Sequence, residues 1–159
     1  MHRAARCFDA DQRDRGEKPR FSISIATYKC TAMPLKMKPL ISIVDDDELV
    51  REAISGLLDS LGYRVQAFSS ALDFLASADV TDSSCLIADV QMPHMTGIEL
   101  HERLTGLGHT IPTILITGLP SEAVRDRALA NGVFSYLSKP FDVDALIGHV
   151  RSALQSQQG

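Results

Sequence analysis

Residues 39–159 predict an α/β fold, a doubly wound (βα)5 arrangement in which a five-stranded parallel sheet carries helices on both faces. Three observations predict it. Short apolar runs alternate with amphipathic stretches five times over, and strands alternating with helical patterns read as βαβ units around a parallel sheet. The first, third and fourth runs are continuously apolar, as strands buried on both faces are. At 159 residues and 45% hydrophobic, the chain suits one globular domain with a proper core and leaves no room for a second sizeable one.

The elements follow in order. Leu40-Ile41-Ser42-Ile43-Val44 is the first strand, after which Val50, Ile54, Leu57, Leu58 and Leu61 recur at helical spacing and Gly62 supplies a stop. The second strand, Arg64-Val65-Gln66-Ala67-Phe68, alternates polar and apolar residues and so suits an edge. Ser69 or Ser70 can cap a helix carrying Leu72, Phe74 and Leu75. The third strand is Ser84-Cys85-Leu86-Ile87-Ala88, followed by a helix over 97–107 opened by Gly97. Thr113-Ile114-Leu115-Ile116 is the fourth strand, and a helix over 121–131 is capped near Ser121 and closed by Asn131-Gly132. Val133-Phe134-Ser135-Tyr136-Leu137 is the fifth. In the last helix Asp142 is the N-cap, Phe141 can staple against Leu146, and Val143, Leu146, Ile147, Val150 and Leu154 form one apolar face.

The net charge of −4 hides a division: residues 1–38 hold nine Lys/Arg against four Asp/Glu, a net of +5, while 39–159 hold seven against sixteen, a net of −9. The Arg-rich stretch 11–20 could not bury enough surface to offset its ordering entropy. Residues 1–38 are therefore expected to be a disordered or spurious N-terminal extension, with Met33 or Met37 as the natural start and residues 1–32 dispensable for folding. A basic arm can bind nucleic acid or anionic lipid, but interspersed acids and the lack of a basic helical face argue against it, and no direct nucleic-acid binding is expected. No apolar stretch approaches the ~20 residues that span a bilayer, and the N-terminus lacks the apolar region of a secretory signal. A cytoplasmic protein without membrane contact is the expectation. Cys7, Cys30 and Cys85 make neither a disulfide framework nor a metal spacing.

In open parallel sheets the ligand site lies beyond the carboxyl ends of the strands, near the point where strand order reverses. There the sequence places Asp45 and Asp46 after strand one, Asp89 after strand three, Thr117 after strand four and Lys139-Pro140 after strand five. Asp45, Asp46 and Asp47 repel one another unless a hard divalent cation such as Mg²⁺ sits among their oxygens. Asp47 and Glu48 equally suit the positive end of the following helix. Asp89 can attack phosphorus as a carboxylate nucleophile, giving an acyl phosphate. Asp45 and Asp46 can hold Mg²⁺, which neutralises charge on the phosphoryl oxygens. Thr117 can donate its hydroxyl to one of those oxygens and Lys139 its charge to another, with Gly118 leaving space beside them. Taken singly, Asp89 is a turn residue, Thr117-Gly118 a strand exit and Lys139 a solvated lysine. Four coincidences at four strand ends carry the joint reading.

These residues resemble the receiver domains of two-component response regulators. Ile43-Val44-Asp45-Asp46-Asp47-Glu48 looks like the family's acidic-pair motif, and Asp89-Val90-Gln91-Met92-Pro93-His94-Met95-Thr96-Gly97 like the loop after its phosphoacceptor. Ile116-Thr117-Gly118 resembles its hydroxyl-bearing segment, and Tyr136-Leu137-Ser138-Lys139-Pro140-Phe141 its Lys-Pro motif. The resemblance spans about residues 39–156. It implies a flavodoxin-like sheet of strand order 2-1-3-4-5 and a phosphorelay module that is not itself an enzyme. A sensor histidine kinase or phosphotransfer protein would pass its phosphoryl group to Asp89. Mg²⁺ would be the cofactor, held by Asp45, Asp46, Asp89 and the backbone carbonyl of Gln91. The resemblance further implies a cis Lys139-Pro140 bond and a switch through Thr117 and an inward-rotating Tyr136. That switch would remodel the face of the fourth helix, fifth strand and fifth helix, including Tyr136 and Arg125, for a downstream protein or a homodimer.

Departures from the pattern matter as well. Many relatives continue into a DNA-binding domain, whereas here Gly159 follows the fifth helix and a Gln/Ser-rich tail, so a stand-alone receiver without an output domain is expected. His94 stands where many relatives have Gly, and Gln91 and Leu119 occupy positions that tune phosphoryl lifetime. A haloacid-dehalogenase-like phosphatase also combines Asp-x-Asp, Thr, Lys and Mg²⁺. It would need further carboxylates at a strand end after the lysine, where Asp142 and Asp144 instead open a helix, and it gives Asp89 no role. An adaptor that is never phosphorylated sits poorly with the presence of every reactive position.

Overall fold

Five parallel strands in the order β2-β1-β3-β4-β5 form the centre of the computed structural model, which describes residues 37–159. The expected N-terminal extension lies outside the described residues as far as residue 36. In chain order the elements are β1 (Leu40–Val44), α1 (Glu48–Ser60), β2 (Arg64–Phe68), α2 (Ala71–Ala76), α3 (Asp79–Asp82), β3 (Ser83–Asp89), α4 (Gly97–Gly106), β4 (Thr113–Thr117), α5 (Glu122–Ala130), β5 (Ser135–Ser138) and α6 (Val143–Ser156). β1 and β4 are buried at every position, whereas β2 is exposed or half-buried throughout, as its alternating sequence requires of an edge.

Because side chains alternate across a sheet, the buried strands feed two separate cores. Ile41, Ile43, Cys85, Ile87, Ile114 and Ile116 face Ile54 and Leu58 of α1 and Leu146, Val150 and Ala153 of α6. On the opposite face Val44, Leu86, Ala88 and Leu115 meet Ala71 and Phe74 of α2, Leu100 and Leu104 of α4, and Ala128 of α5. Ser42 sits between these apolar rows, and its hydroxyl is satisfied by that of Ser83 at 2.6 Å. Cys85 is a free thiol in this interior, pushed up to about 12 by burial, and is therefore inert.

Side-chain caps open the helices, at α4 through Thr96 where the sequence suggested only Gly97. Asp47, Ser70, Thr96, Ser121 and Asp142 each accept a backbone N–H of the first turn. Thr96 and Glu99 form a full capping box. Three local expectations shift. α3 is an additional single turn over residues expected to be loop, closed by the Ser83 hydroxyl donating to the Asp79 carbonyl at 2.6 Å and anchored by buried Val80. Of the three apolar residues expected on α2, Phe74 is buried, Leu75 is half-buried and Leu72 is exposed, because Ala71 and Phe74 define that helix's inner face. β5 begins at Ser135 rather than Val133, since the Val133 N–H is used to close α5 on the Ala128 carbonyl. None of the described helices is long and apolar enough to cross a membrane.

Candidate functional site

The strand order reverses between β1 and β3, and both strands end there in carboxylates. Asp45 follows β1, with its N–H donating to the Phe68 carbonyl at 3.2 Å, and Asp89 is the last residue of β3. Thr117 ends β4. Its carbonyl accepts the Lys139 N–H at 2.7 Å, which carries the parallel ladder one residue past β5 and seats Lys139 beside the site. The Lys139-Pro140 bond is cis, as the resemblance implied. Four sequence-distant groups thus stand at the carboxyl ends of four neighbouring strands.

Lys139 is the centre of the arrangement. Its ammonium donates to Asp45 Oδ2 at 3.1 Å and to Asp89 Oδ1 at 3.0 Å, and both carboxylates are almost fully buried. Burial pushes the Asp89 carboxyl above its ordinary value, because one ammonium shared between two carboxylates offsets the desolvation only in part and the charges of Asp45 and Asp46 push the same way. For Lys139 burial acts downward, but the hydrogen bonds to Asp89 and Asp45, with their charges, outweigh it and hold the ammonium above the usual lysine value. The site carries uncompensated negative charge even with its lysine in place.

Asp45, Asp46 and Asp89 each present an oxygen within 4.8 Å of the others. Three carboxylates and no nitrogen or sulfur donor suit a hard, oxygen-seeking divalent cation, so the donor set fits Mg²⁺. Asp47 does not join them. Its carboxylate caps α1 by accepting the Leu49 N–H at 3.0 Å, which decides the fate of the third acidic residue in favour of the helix. Asp45 Oδ1 in turn accepts the Asp47 N–H at 2.8 Å, leaving its other oxygen to Lys139. Asp46 is exposed, and its substitution relieves repulsion without opening a cavity. Asp46→Ala is therefore expected to stabilise the metal-free chain slightly in urea titrations while lowering Mg²⁺ affinity at least about tenfold, since even outer-shell changes cost 10- to 100-fold. Unchanged affinity would remove Asp46 from the site.

Three contacts escaped the sequence reading. The Arg51 guanidinium donates to the Asp45 backbone carbonyl at 2.6 Å, tying α1 to the loop that carries the acidic pair; its signal is that it is the one basic residue on that helix. Gly97 does more than open α4. A Cβ there would press on the Asp89 carbonyl oxygen more closely than real contacts allow, while the Gly97 N–H reaches the Val90 carbonyl at 3.2 Å. Gly97→Ala should cost about 1–3 kcal/mol, as overpacking does, read as a lower urea midpoint with an unchanged slope. The third contact is the Gln91 side chain, whose Oε1 accepts the Thr117 hydroxyl at 2.7 Å, while that hydroxyl oxygen accepts the Leu119 N–H at 3.0 Å.

His94 adopts φ 68°, the left-handed region that glycine prefers, which explains why a glycine suits that position. Tyr136 is half-buried against the second core, and its hydroxyl is buried with no hydrogen-bond partner among the described residues. With Pro120, Ser121, Glu122, Arg125 and Ser138, Tyr136 lines a cleft of about 190 Å³ between α5 and β5. No carboxylate beyond Lys139 stands at a strand end. Asp142 and Asp144 lie at the start of α6, away from the position a dehalogenase-like phosphatase would use.

Comparison with known proteins identifies the family. Residues 41–151 match the family model of the response regulator receiver domain. The chain is 41% identical over 116 residues to the response regulator protein TmoT of Ectopseudomonas mendocina, covering 73% of this chain and 53% of that protein. It is 36% identical over 121 residues to the transcriptional regulatory protein FixJ of Azorhizobium caulinodans, covering 75% of this chain and 57% of the relative. The chain thus spans about half the length of the curated relatives it matches. The crystal structure of FixJ-N superposes with a TM-score of 0.67 at 32% identity, over 74% of this chain and 94% of that one. These relatives are regulators by name.

Proposed function

The chain belongs to the receiver-domain family of response regulators, and from that premise we propose that Asp89 is its phosphoacceptor, taking a phosphoryl group from the phosphohistidine of a sensor kinase or phosphotransfer protein. The observation that carries the reading is the Lys139 ammonium held at 3.0 Å from Asp89 and 3.1 Å from Asp45, at the strand ends that also gather Asp46 and Thr117. An Asp89 carboxylate oxygen forms the bond to phosphorus. The bond from phosphorus to the donor imidazole breaks, and its electron pair returns to that nitrogen, which takes up a proton. Lys139 follows the charge from the carboxylate to the phosphoryl oxygens, where positive groups contribute most to this class of transfer. Asp45, Asp46, Asp89 and the Gln91 backbone carbonyl would hold Mg²⁺, which when bound neutralises phosphoryl charge. On this reading the domain works in the cytoplasm with its kinase.

Output follows from Thr117. A phosphoryl group on Asp89 offers new acceptor oxygens to the Thr117 hydroxyl, and movement of β4's end reaches Tyr136 and the face formed by α5, β5 and α6. That face would serve a downstream protein or a second copy of the chain. Thr117→Ala should leave Asp89 able to accept phosphate but uncouple it. Beryllofluoride should then shift the amide resonances of residues 122–138 less than half as far as in the unsubstituted chain, given a coupling of about 1–3 kcal/mol. Full-size shifts in the variant would remove Thr117 from the relay.

The test of the proposed function is the intact mass of the full chain after incubation with a small phosphodonor. One phosphoryl adduct that appears with Mg²⁺ and is lost with a chelator supports the reading. No adduct under either condition would favour an adaptor that is never phosphorylated.

A further inference from the structure

We propose that the Gln91 side chain is a resting-state clasp on the Thr117 hydroxyl, setting how readily a phosphoryl group at Asp89 captures it; the proposal rests on the Asp89 reading above. Thr117 Oγ1 donates to Gln91 Oε1 at 2.7 Å and accepts from the Leu119 N–H at 3.0 Å. A hydroxyl has one proton. A phosphoryl oxygen can only accept, so it obtains that proton only by displacing Gln91. Thr117 is fully buried, which confines its hydroxyl to a few partners, whereas Gln91 is exposed and loses nothing to desolvation when it lets go. The contest is therefore decided by one net hydrogen bond. Gln91 is two residues past Asp89 in sequence and 26 residues from Thr117, so the clasp joins the acceptor loop directly to the end of β4. Its effect falls on the switching equilibrium, upstream of any effect on hydrolysis.

A double-substitution cycle tests it. Beryllofluoride, a mimic of a phosphoryl group on a carboxylate, is titrated onto the full chain at saturating Mg²⁺ and read by ¹⁹F resonance. The chains compared carry Gln91→Met, Thr117→Ala, both changes or neither, with Gln91→Glu added. Methionine keeps the reach of glutamine without its acceptor. Gln91→Met should bind about two- to tenfold tighter than the unsubstituted chain, the worth of one net hydrogen bond. In the Thr117→Ala background the same change should alter affinity by less than about 1.5-fold, because no hydroxyl remains to be released. Gln91→Glu, which keeps an acceptor, should bind no tighter than the unsubstituted chain. Equal affinity for Gln91→Met, or an equal gain with and without Thr117, would overturn the clasp while leaving the Asp89 site intact. No bound fluoride on any chain, the unsubstituted one included, would instead overturn the Asp89 reading and the clasp with it.

Discussion

Asp89→Asn is expected to abolish phosphoryl labelling and, in the same chain, to raise metal-free stability at neutral pH. The first effect follows from chemistry, since an amide neither attacks phosphorus nor forms the acyl phosphate. The second follows from the site's charge. Burial raises the Asp89 carboxyl above its ordinary value despite Lys139. The folded state therefore binds a proton more readily than the unfolded chain, and ionisation of Asp89 costs stability as pH rises from the ordinary carboxylate range through the raised value. That cost is complete once pH exceeds the raised value and absent well below the ordinary carboxylate range, where both states are protonated. The substitution removes it, so the variant should unfold at higher urea than the unsubstituted chain at pH 7, and the gap should close on acidification. A gap that widened in acid would mean that Asp89 is stabilised as the carboxylate.

Lys139→Met should have the largest effect on stability. Methionine keeps the stem but leaves Asp45 and Asp89, both nearly buried, with no counter-charge. The expected loss is about 2–3 kcal/mol in the metal-free chain. This lies below the usual cost of orphaning a buried charge because the lysine side chain is 25% exposed. Lys139 holds its proton above the ordinary lysine value, so its contribution is complete at neutral pH and fades only as pH rises through the raised value. The two chains should therefore converge in strong alkali. Mg²⁺ should restore part of the lost stability, because binding to the folded state alone stabilises it by mass action. Labelling of Asp89 should slow by about 10²- to 10³-fold, the loss seen when one donor to a developing anion is removed. Unchanged stability, or a labelling rate within a few fold of normal, would mean that Lys139 is a solvated surface residue.

The sheet and its reaction edge were legible because each rests on local pattern. Continuous apolar runs marked β1, β3 and β4 as central, alternation marked β2 as an edge, and chemistry-bearing residues stood immediately after the runs. Features set by packing between distant segments were not legible. α3 is one turn, too short for periodicity to register, and Leu72 faces solvent because Ala71 and Phe74, with Leu75 beside them, form the face of α2 that meets the sheet. The division of labour within Asp45-Asp46-Asp47 was open in sequence. Only the start of α1, at Glu48, assigns Asp47 to a helix cap. The reach of Gln91 to Thr117 depends on how the β3–α4 loop lies over β4, and the need for glycine at position 97 on how closely α4 abuts the Asp89 backbone. Neither has a one-dimensional signal.

The most direct test of the central claim is to locate the modification by residue. The full chain, phosphorylated by a small phosphodonor with Mg²⁺, is reduced with borohydride, which converts an aspartyl phosphate to homoserine, and its peptides are read by fragment mass. Homoserine at position 89 alone is the predicted result. Homoserine at 45, 46 or 47, or a phosphoryl group that survives reduction on another side chain, would contradict the assignment of Asp89 as the phosphoacceptor.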